Sequence, residues 1–489
     1  MPDVPWLVTS TVCEAFSLAS DNKFLRGNCV FKKILKWVLN AGLAVLGIAM
    51  VLAGLELLVN SRLFDEAPNP EIAAFMQIEA SRVPDEQNAY FQLVGLAAPE
   101  SAQPHAAGKQ WLAEVNDVQA RHLKGDFAKW PAALPGAAYL PQDPCRPEVR
   151  SCLAQARANP EEMRKLVAAN ERLLARYRAA YGYPGYAETA EVFIFEYPLS
   201  SFGPILNGQR LFLMDAALRI DRGELQAVIA DLGKEIAFSR RMLAGSRTLI
   251  GKMIAGRHLN RAVLFAADVL ANRREQAGAG ARELQSVLQP LTPAERELGD
   301  VMRYEARLMK TGMEHNLRYP SRYDDAGYWA ESWIGRALLQ FNATFNNVYL
   351  SYKASQLADK APASQMDAVL SKGKSAIPVP PDWTLFYNPV GKMQVQDMVP
   401  NLSEYTRRMH DLDALVRLVA LQAEIVAKSV KDEDVPQFLA AADKLYANPW
   451  TEKPMQWDPK ARQIYFEPRT QRYRDDKTGG VAGRVSISL

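Results

Sequence analysis

The residues best placed for acid–base chemistry in this chain lie in one short segment, His410-Asp411-Leu412-Asp413. A histidine beside a carboxylate can act as a general base when a serine or cysteine approaches it in the fold. The chain contains no G-x-S-x-G sequence to supply such a nucleophile. A surface or helix-capping role is the interpretation we favour, so the sequence predicts no catalytic residue.

Metal and nucleotide sites have little support. The five histidines are scattered, without an H-E-x-x-H motif or a pair four residues apart, so we do not expect a zinc site. Gly373-Lys374-Ser375 resembles part of a phosphate-binding loop, but Ala368 stands where that pattern requires glycine. We expect a solvated loop there, and we predict no metal and no cofactor.

Aromatic residues recur at four-residue steps in one region of the chain. They are Trp329, Trp333, Phe341, Phe345 and Tyr349. Each step of four residues turns a helix by about 400°, so the aromatic stripe drifts around the helix. That drift favours a helix packed between neighbours. A ligand groove or a membrane-surface contact is the alternative interpretation.

Two cysteines, Cys145 and Cys152, enclose a short loop that contains Pro147. We predict a structural disulfide between them, provided that this part of the chain is in an oxidising compartment. A redox or metal pair is the alternative, but the spacing is not C-x-x-C and no histidine or further cysteine lies nearby. Cys13 and Cys29 lie much earlier in the chain.

The composition is that of a folded chain with more than one packed unit. Hydrophobic residues make up 48% of the 489 residues and charged residues 23%, which excludes wholesale disorder and a multi-pass membrane protein. The 58 Lys and Arg residues exceed the 55 Asp and Glu residues by only three. We therefore expect no nucleic-acid partner.

One segment is apolar enough to cross a membrane. Residues 37–55 form a run of nineteen residues in which only Asn40 is polar, and Leu57, Leu58 and Val59 extend it. At about 1.5 Å per residue, a helix of this length nearly spans the ~30 Å hydrocarbon core. We predict a transmembrane anchor at residues 31–60 that contacts the lipid bilayer from Trp37 to Val59.

The charges on either side of this segment predict its orientation. Residues 23–36 contain five basic residues and no acidic one, whereas residues 56–90 contain two basic and seven acidic residues. Because positive flanks are retained in the cytoplasm, we expect the amino end inside and the rest of the chain exported. Cys145 and Cys152 would then face the oxidising side. A cleaved signal peptide is the alternative.

The order of segments suggests the domain organisation. We expect residues 1–30 to be a disordered cytoplasmic leader or the product of an over-extended reading frame. Four prolines break up residues 61–103, which we interpret as a stalk. A helical domain is expected at residues 104–377. The irregular run Pro378-Val379-Pro380-Pro381-Asp382 separates it from a C-terminal region, residues 378–489.

The exported part should be mainly α, with a small C-terminal β-hairpin. Asn159-Pro160-Glu161-Glu162 predicts the start of a helix that ends at Gly182, and Thr292-Pro293-Ala294-Glu295 is a capping box. A helical hairpin is expected from residues 211–220 and 225–243. Further helices are expected at residues 257–271, 330–358, 404–430 and 437–447. Residues 463–467 and 484–489 alternate like strands.

Four stretches resemble a group of uncharacterised single-pass inner-membrane proteins of Gram-negative bacteria. They are Pro84-Asp85-Glu86-Gln87-Asn88-Ala89-Tyr90, Tyr387-Asn388-Pro389-Val390-Gly391-Lys392, Asp411-Leu412-Asp413 and Asn448-Pro449-Trp450-Thr451-Glu452-Lys453-Pro454. The resemblance implies a periplasmic helical domain on an inner-membrane anchor. It carries over no catalytic residue.

Three functions are consistent with these features. The first is a non-enzymatic envelope protein whose helical domain binds a protein partner or organises an assembly. The second is an envelope enzyme whose site is assembled from distant residues. The third is a receptor for a small or lipidic ligand that uses the aromatic segment between Trp329 and Tyr352. An exposed apolar patch would favour the first, a deep cleft with converging carboxylates the second, and an apolar tunnel the third.

Overall fold

A computed structural model describes residues 23–134, 140, 143–319, 335–375, 386–398, 402–470 and 483–489 of the chain. The leader before residue 23, the proline-rich run at residues 378–382, and Trp329 and Trp333 lie outside these ranges. The described residues are about 66% helical, with 18 helices and a small antiparallel sheet at the carboxyl end. The predicted mainly α class is confirmed.

The helices are numbered here in chain order. They are α1 (Lys23–Val59), α2 (Glu71–Phe75), α3 (Ala89–Val94), α4 (Pro104–His122), α5 (Cys152–Ala158), α6 (Pro160–Ala169), α7 (Glu171–Ala179), α8 (Gly203–Asp221), α9 (Leu225–Gly245), α10 (Leu249–Asn272), α11 (Gly278–Gln285), α12 (Pro293–Arg296), α13 (Gly299–Arg318), α14 (Phe341–Lys360), α15 (Ala363–Ser375), α16 (Pro389–Met398), α17 (Leu402–Ala427) and α18 (Val435–Ala441).

The chain divides into two compact units, each built from separate stretches of sequence. The first unit contains Met1–Ala67, Ala330–Thr344 and Pro380–Met393. The second contains Pro68–Trp329, Phe345–Val379 and Gln394–Leu489.

In the first unit, α1 contains a segment that is long and apolar enough to cross a membrane. Ile34–Val59 covers 26 residues, and its most apolar window has a mean hydropathy of 2.4 and no buried residue. At about 1.5 Å per residue it is roughly 39 Å long, which exceeds the ~30 Å hydrocarbon core. The helix begins at Lys23, so the last eight residues of the expected leader are helical.

In the second unit, the core is formed by the α9–α10 pair and by α17, which packs on α10. Apolar side chains such as Val263, Phe265 and Leu418 are fully buried there. The predicted hairpin of α8 and α9 is present, and Gly223 adopts a φ of +89° in its turn, a conformation that favours glycine. The range expected to be a stalk contains α3, all of whose residues are buried.

Several predicted helices are interrupted or shorter than expected. The helix expected at residues 330–358 is broken at residues 338–340, and the one expected at residues 437–447 ends at Ala441. The helix expected from Asn159 to Gly182 breaks at Asn170, whose side-chain amide donates a hydrogen bond of 2.9 Å to the carbonyl of Leu166. The capping box at Thr292 is present, but its helix, α12, has only four residues. The backbone is extended at Glu297, and α13 starts afresh at Gly299. A local hydrogen bond thus accompanies the first break, whereas at the second the backbone N–H of Leu298 donates to the distant Asp359 at 2.6 Å.

The carboxyl end forms a three-stranded antiparallel sheet in the order β1 (Gln456–Asp458), β2 (Gln463–Phe466) and β3 (Val485–Ser488). The two predicted strands pair as expected, with Ile464 opposite Ile487. Strand β1 was not predicted, since three residues are too few to show an alternating pattern.

Candidate functional site

The segment singled out for acid–base chemistry is buried in the core of the second unit. His410 is 2% exposed, and its ring packs edge-on against Trp450 with 5.3 Å between the centroids. Burial, together with the positive charges of Arg296 and Arg417, lowers the pKa of His410 to about 3. The imidazole is therefore uncharged at neutral pH.

The two carboxylates beside His410 bind backbone and side-chain donors of the fold. Asp411 accepts hydrogen bonds from Trp450 Nε1 at 2.8 Å, Thr470 Oγ1 at 2.7 Å and two backbone N–H groups of the C-terminal region. Asp413 accepts one from the backbone N–H of Leu291 at 2.7 Å. The expected surface role is thus wrong, because these carboxylates fix loops to α17.

The predicted cysteine pair comes together. The sulfur atoms of Cys145 and Cys152 lie 2.08 Å apart, at disulfide distance, and both residues are fully buried. Ser151 caps α5 directly before Cys152 and donates a hydrogen bond of 2.9 Å to Asp268 on α10. The pair closes a loop against the core, as a structural role requires.

The other sequence features have structural roles where they are described. Of the aromatic stripe, Phe345 and Tyr349 are buried, as the core interpretation expects, whereas Phe341 is only half-buried. The fragment at Gly373 forms the last turn of α15, so the expected solvated loop is wrong. Within the described ranges, no three His, Cys, Asp or Glu side chains converge as metal ligands.

Sequence reasoning missed a set of hydrogen bonds at the end of α1. We call Asn60, Gln340, Thr344 and Asn388 the membrane-proximal polar cluster; all four are at most 3% exposed. Asn60 Nδ2 donates to the carbonyl of Phe386 at 2.7 Å, and its side-chain oxygen accepts from the backbone N–H of Asn388 at 2.6 Å. Buried amides are stable only when they are paired in this way.

Gln340 and Thr344 join the cluster through Asn388, and Gln340 also binds the chain just beyond α1. The backbone N–H of Gln340 donates to Asn388 Oδ1 at 2.9 Å, and Gln340 Nε2 donates to the carbonyl of Ser61 at 2.9 Å. Asn388 Nδ2 donates to Thr344 Oγ1 at 2.9 Å. Gln340 and Asn388, which are far from α1 in the sequence, therefore form hydrogen bonds with the residues that directly follow it.

Asp65 reinforces this arrangement by capping α14. Its carboxylate accepts hydrogen bonds from the backbone N–H groups of Asn342 at 3.0 Å and Ala343 at 3.1 Å. These are donors that a helix leaves unpaired at its amino end, where a negative charge is also favoured by the helix dipole. The cap explains why the described helix starts at Phe341.

Local sequence explains how Asn388 reaches its partners. Its φ is +53°, a left-handed conformation that asparagine tolerates better than most residues. Gly391 follows in α16, and a Cβ atom there would lie well inside van der Waals contact with Thr344 Oγ1 and the Asn388 side chain. In the sequence, the one indication of this arrangement is Asn388-Pro389-Val390-Gly391, which lies in one of the four stretches that carry the family resemblance.

Large apolar side chains are exposed in the same unit. Leu63 is 87% exposed, Phe64 54%, Phe386 64% and Met393 64%. We call these four residues the apolar rim. Tyr387 Oη donates to the carbonyl of Phe64 at 3.1 Å, so two parts of the rim are close in the fold.

A second missed site is a buried carboxylate in the second unit. Glu235 on α9 is fully buried and accepts hydrogen bonds from Tyr181 Oη at 2.6 Å, Gln209 Nε2 at 2.7 Å and Tyr177 Oη at 3.1 Å. Burial raises the pKa of Glu235 to about 7, although these hydrogen bonds oppose the rise. The burial of Glu235 could not be predicted from sequence periodicity, because apolar side chains usually occupy a buried position of this kind on a helix.

Comparison with known proteins identifies no relative of this chain. No protein-family model, no curated protein and no solved structure matches the chain. The expected membership of a group of single-pass inner-membrane proteins stays a prediction.

Proposed function

We propose that the chain is a single-pass protein of the bacterial inner membrane that presents its helical domain in the periplasm. The amino end lies in the cytoplasm. The helical domain binds a protein partner of the cell envelope and holds it close to the membrane, without catalysing a reaction.

The observation that carries this proposal is the way α1 ends. Its apolar segment is exposed along its length, and the first residue beyond it, Asn60, is buried in a polar cluster. An exposed apolar helix of this length is unfavourable in water and stable in lipid. The abrupt change from apolar to polar surroundings suits a boundary between the bilayer and a folded, water-exposed structure.

The excess of positive charge before the helix supports the proposed orientation. The cysteine pair supports it as well, because disulfides persist in the periplasm and are rare in the cytoplasm.

The apolar rim suits a contact with the membrane surface. Leu63 lies four residues beyond Val59, the end of the apolar segment, and is 87% exposed. That segment is longer than the hydrocarbon core. Either its last turn and the residues that follow lie among the headgroups, or the whole helix tilts in the bilayer. In either arrangement the rim lies near lipid.

Site-specific photo-crosslinking in native membranes tests this placement. A benzophenone amino acid replaces Leu63 or Phe386, and mass spectrometry identifies the adducts. We expect lipid adducts at both positions. The matched control is Leu445, a 51% exposed leucine of the second unit, where we expect none. Equal lipid labelling at all three positions, or none at Leu63 and Phe386, would contradict the placement.

The partner requires its own test. Chemical crosslinking of the full chain in native membranes should give one reproducible protein adduct whose crosslinks map to the second unit. If no specific adduct forms, the partner-binding part of the proposal is wrong, while the membrane placement can still be correct.

A further inference from the structure

A cleft opens between α8, α10 and α17 in the second unit. Its volume is about 270 Å³, close to the lower end of the roughly 300–1,000 Å³ typical of small-molecule sites. Its walls are mainly apolar. They are formed by Leu206 of α8, by Met253 and Ile254 of α10, and by Met409 and Leu412 of α17.

Two guanidinium groups line the same cleft. Arg257 lies on α10 and Arg408 on α17, and their side chains are 36% and 39% exposed. The ion pair of Arg257 with Glu148 is 4.0 Å long, and that of Arg408 with Glu404 is 3.7 Å long. The guanidinium group of Arg408 also lies over the ring of Tyr405, 5.0 Å from its centroid. Because both arginine side chains are partly exposed at the cleft, an incoming anion can reach them.

The combination of walls and charges defines the chemistry of a ligand. Apolar side chains favour a hydrocarbon chain, and the two methionines allow the walls to adapt to its shape. Two guanidinium groups favour a carboxylate or a phosphate. Gly256 lies at the same place on α10, and a Cβ atom there would meet the terminal methyl group of Met409 at 3.1 Å. Glycine thus permits the close approach of α10 and α17 beneath the cleft.

We propose that this cleft binds a single-chain amphiphile with an anionic headgroup, of the kind that fatty acids and lysophospholipids represent. The apolar chain lies between α8, α10 and α17, and the headgroup pairs with Arg257 and Arg408. This site is separate from the aromatic segment that the sequence suggested for a lipidic ligand. It does not depend on the orientation of α1 in the membrane.

The test uses the full chain in nanodiscs of zwitterionic lipid and two photoreactive probes. The probes are a twelve-carbon fatty acid with a diazirine near the end of its chain and the corresponding alcohol. Mass spectrometry locates and quantifies the labelled residues. We expect the acid to label α10 and α17 about tenfold more than the alcohol does, since a charge-assisted hydrogen bond contributes roughly a factor of ten in affinity. Equal labelling by acid and alcohol would overturn the proposal.

Two variants test the residues. Arg257→Gln together with Arg408→Gln should reduce labelling by the acid about tenfold and leave labelling by the alcohol unchanged. Met253→Trp should fill the cleft and reduce labelling by both probes. The matched control is Arg222→Gln, which removes a 54% exposed arginine elsewhere in this unit. An unchanged labelling pattern in both test variants would overturn the proposal.

A competition experiment separates the two sources of the anionic group. Dodecanoate and dodecyl phosphate are each added in excess to the photoreactive acid. Displacement by dodecanoate alone assigns the site to carboxylates, displacement by dodecyl phosphate alone assigns it to phosphate headgroups, and displacement by both shows that it accepts either group. Displacement by neither contradicts the proposed site. The comparison of acid and alcohol on the unaltered chain remains decisive even if a variant fails to fold.

Discussion

The backbone N–H of Asn388 donates a hydrogen bond of 2.6 Å to the side-chain oxygen of Asn60, although the two residues are 328 positions apart in the chain. Asn60 is the first residue after the apolar helix and is 3% exposed. The end of that helix is therefore part of a folded unit and does not lead directly into a flexible linker.

Replacing Gly391 should weaken this unit. In Gly391→Ala the new methyl group would overlap Thr344 Oγ1 and the Asn388 side chain. We expect a loss of about 1–3 kcal/mol in the free energy of unfolding, which is typical of overpacking. Gly182→Ala is the matched control, because an added Cβ there meets nothing within 4 Å. Limited proteolysis in the first unit measures the effect, and equal cleavage rates for both variants would refute it.

Reducing the Cys145–Cys152 bond should destabilise the second unit. In the chain-entropy model, a loop of this length gives about 2–3 kcal/mol. We expect a lower melting temperature of the native chain in the presence of reductant. A variant with serine at both positions should melt at one temperature with and without reductant. A native chain whose melting does not respond to reductant would contradict the structural role.

The pKa of Glu235 should make stability depend on pH. Because burial raises the pKa to about 7 from the ordinary 4.5, its favourable contribution is complete below pH 4.5 and is lost as the pH rises through 7. Relative to Glu235→Gln, the native chain should lose on the order of 3 kcal/mol between pH 4.5 and pH 8. Unfolding by denaturant at several pH values measures the difference.

The control for Glu235 is the exposed Glu161, whose side chain is 76% exposed. The Glu161→Gln variant is measured over the same pH range. Stability curves of Glu235→Gln and the native chain that run parallel between pH 4.5 and pH 8 would contradict the titration of Glu235.

Asp411 should matter for stability, because removing its carboxylate leaves buried donors unpaired. Asp411→Ala takes the acceptor from Trp450 Nε1 and Thr470 Oγ1, among others. Each buried donor without a partner costs about 1–3 kcal/mol, so we expect a total loss of roughly 3 kcal/mol or more. Thermal unfolding measures it, with the exposed Asp434→Ala as control. A loss no larger than in the control would be inconsistent with this role.

The features that could be predicted from the sequence are those that depend on neighbours in the chain. The apolar run of α1, the hairpin turn at Gly223 and the capping box at Thr292 are local patterns, and the structure contains each of them. The pairing of Cys145 with Cys152 belongs to this group, because the two cysteines are only seven positions apart.

The sites that could not be predicted depend on residues that are distant in sequence. Asn60, Gln340 and Asn388 are unremarkable polar residues until the fold brings them together. Arg257 and Arg408 line one cleft only because α10 packs on α17. In the sequence, a carboxylate such as Asp411 resembles a surface residue of a helix. The donors that make its burial favourable come from residues 39 to 59 positions later.

The most direct test of the proposed topology is a pair of reporter fusions at the carboxyl end of the full chain. Alkaline phosphatase is active only after export, whereas green fluorescent protein exported in unfolded form stays dark. We predict active phosphatase and no fluorescence, with the fusion protein in the inner-membrane fraction. A fluorescent fusion with inactive phosphatase, or a native chain that lacks the apolar helix, would contradict the account.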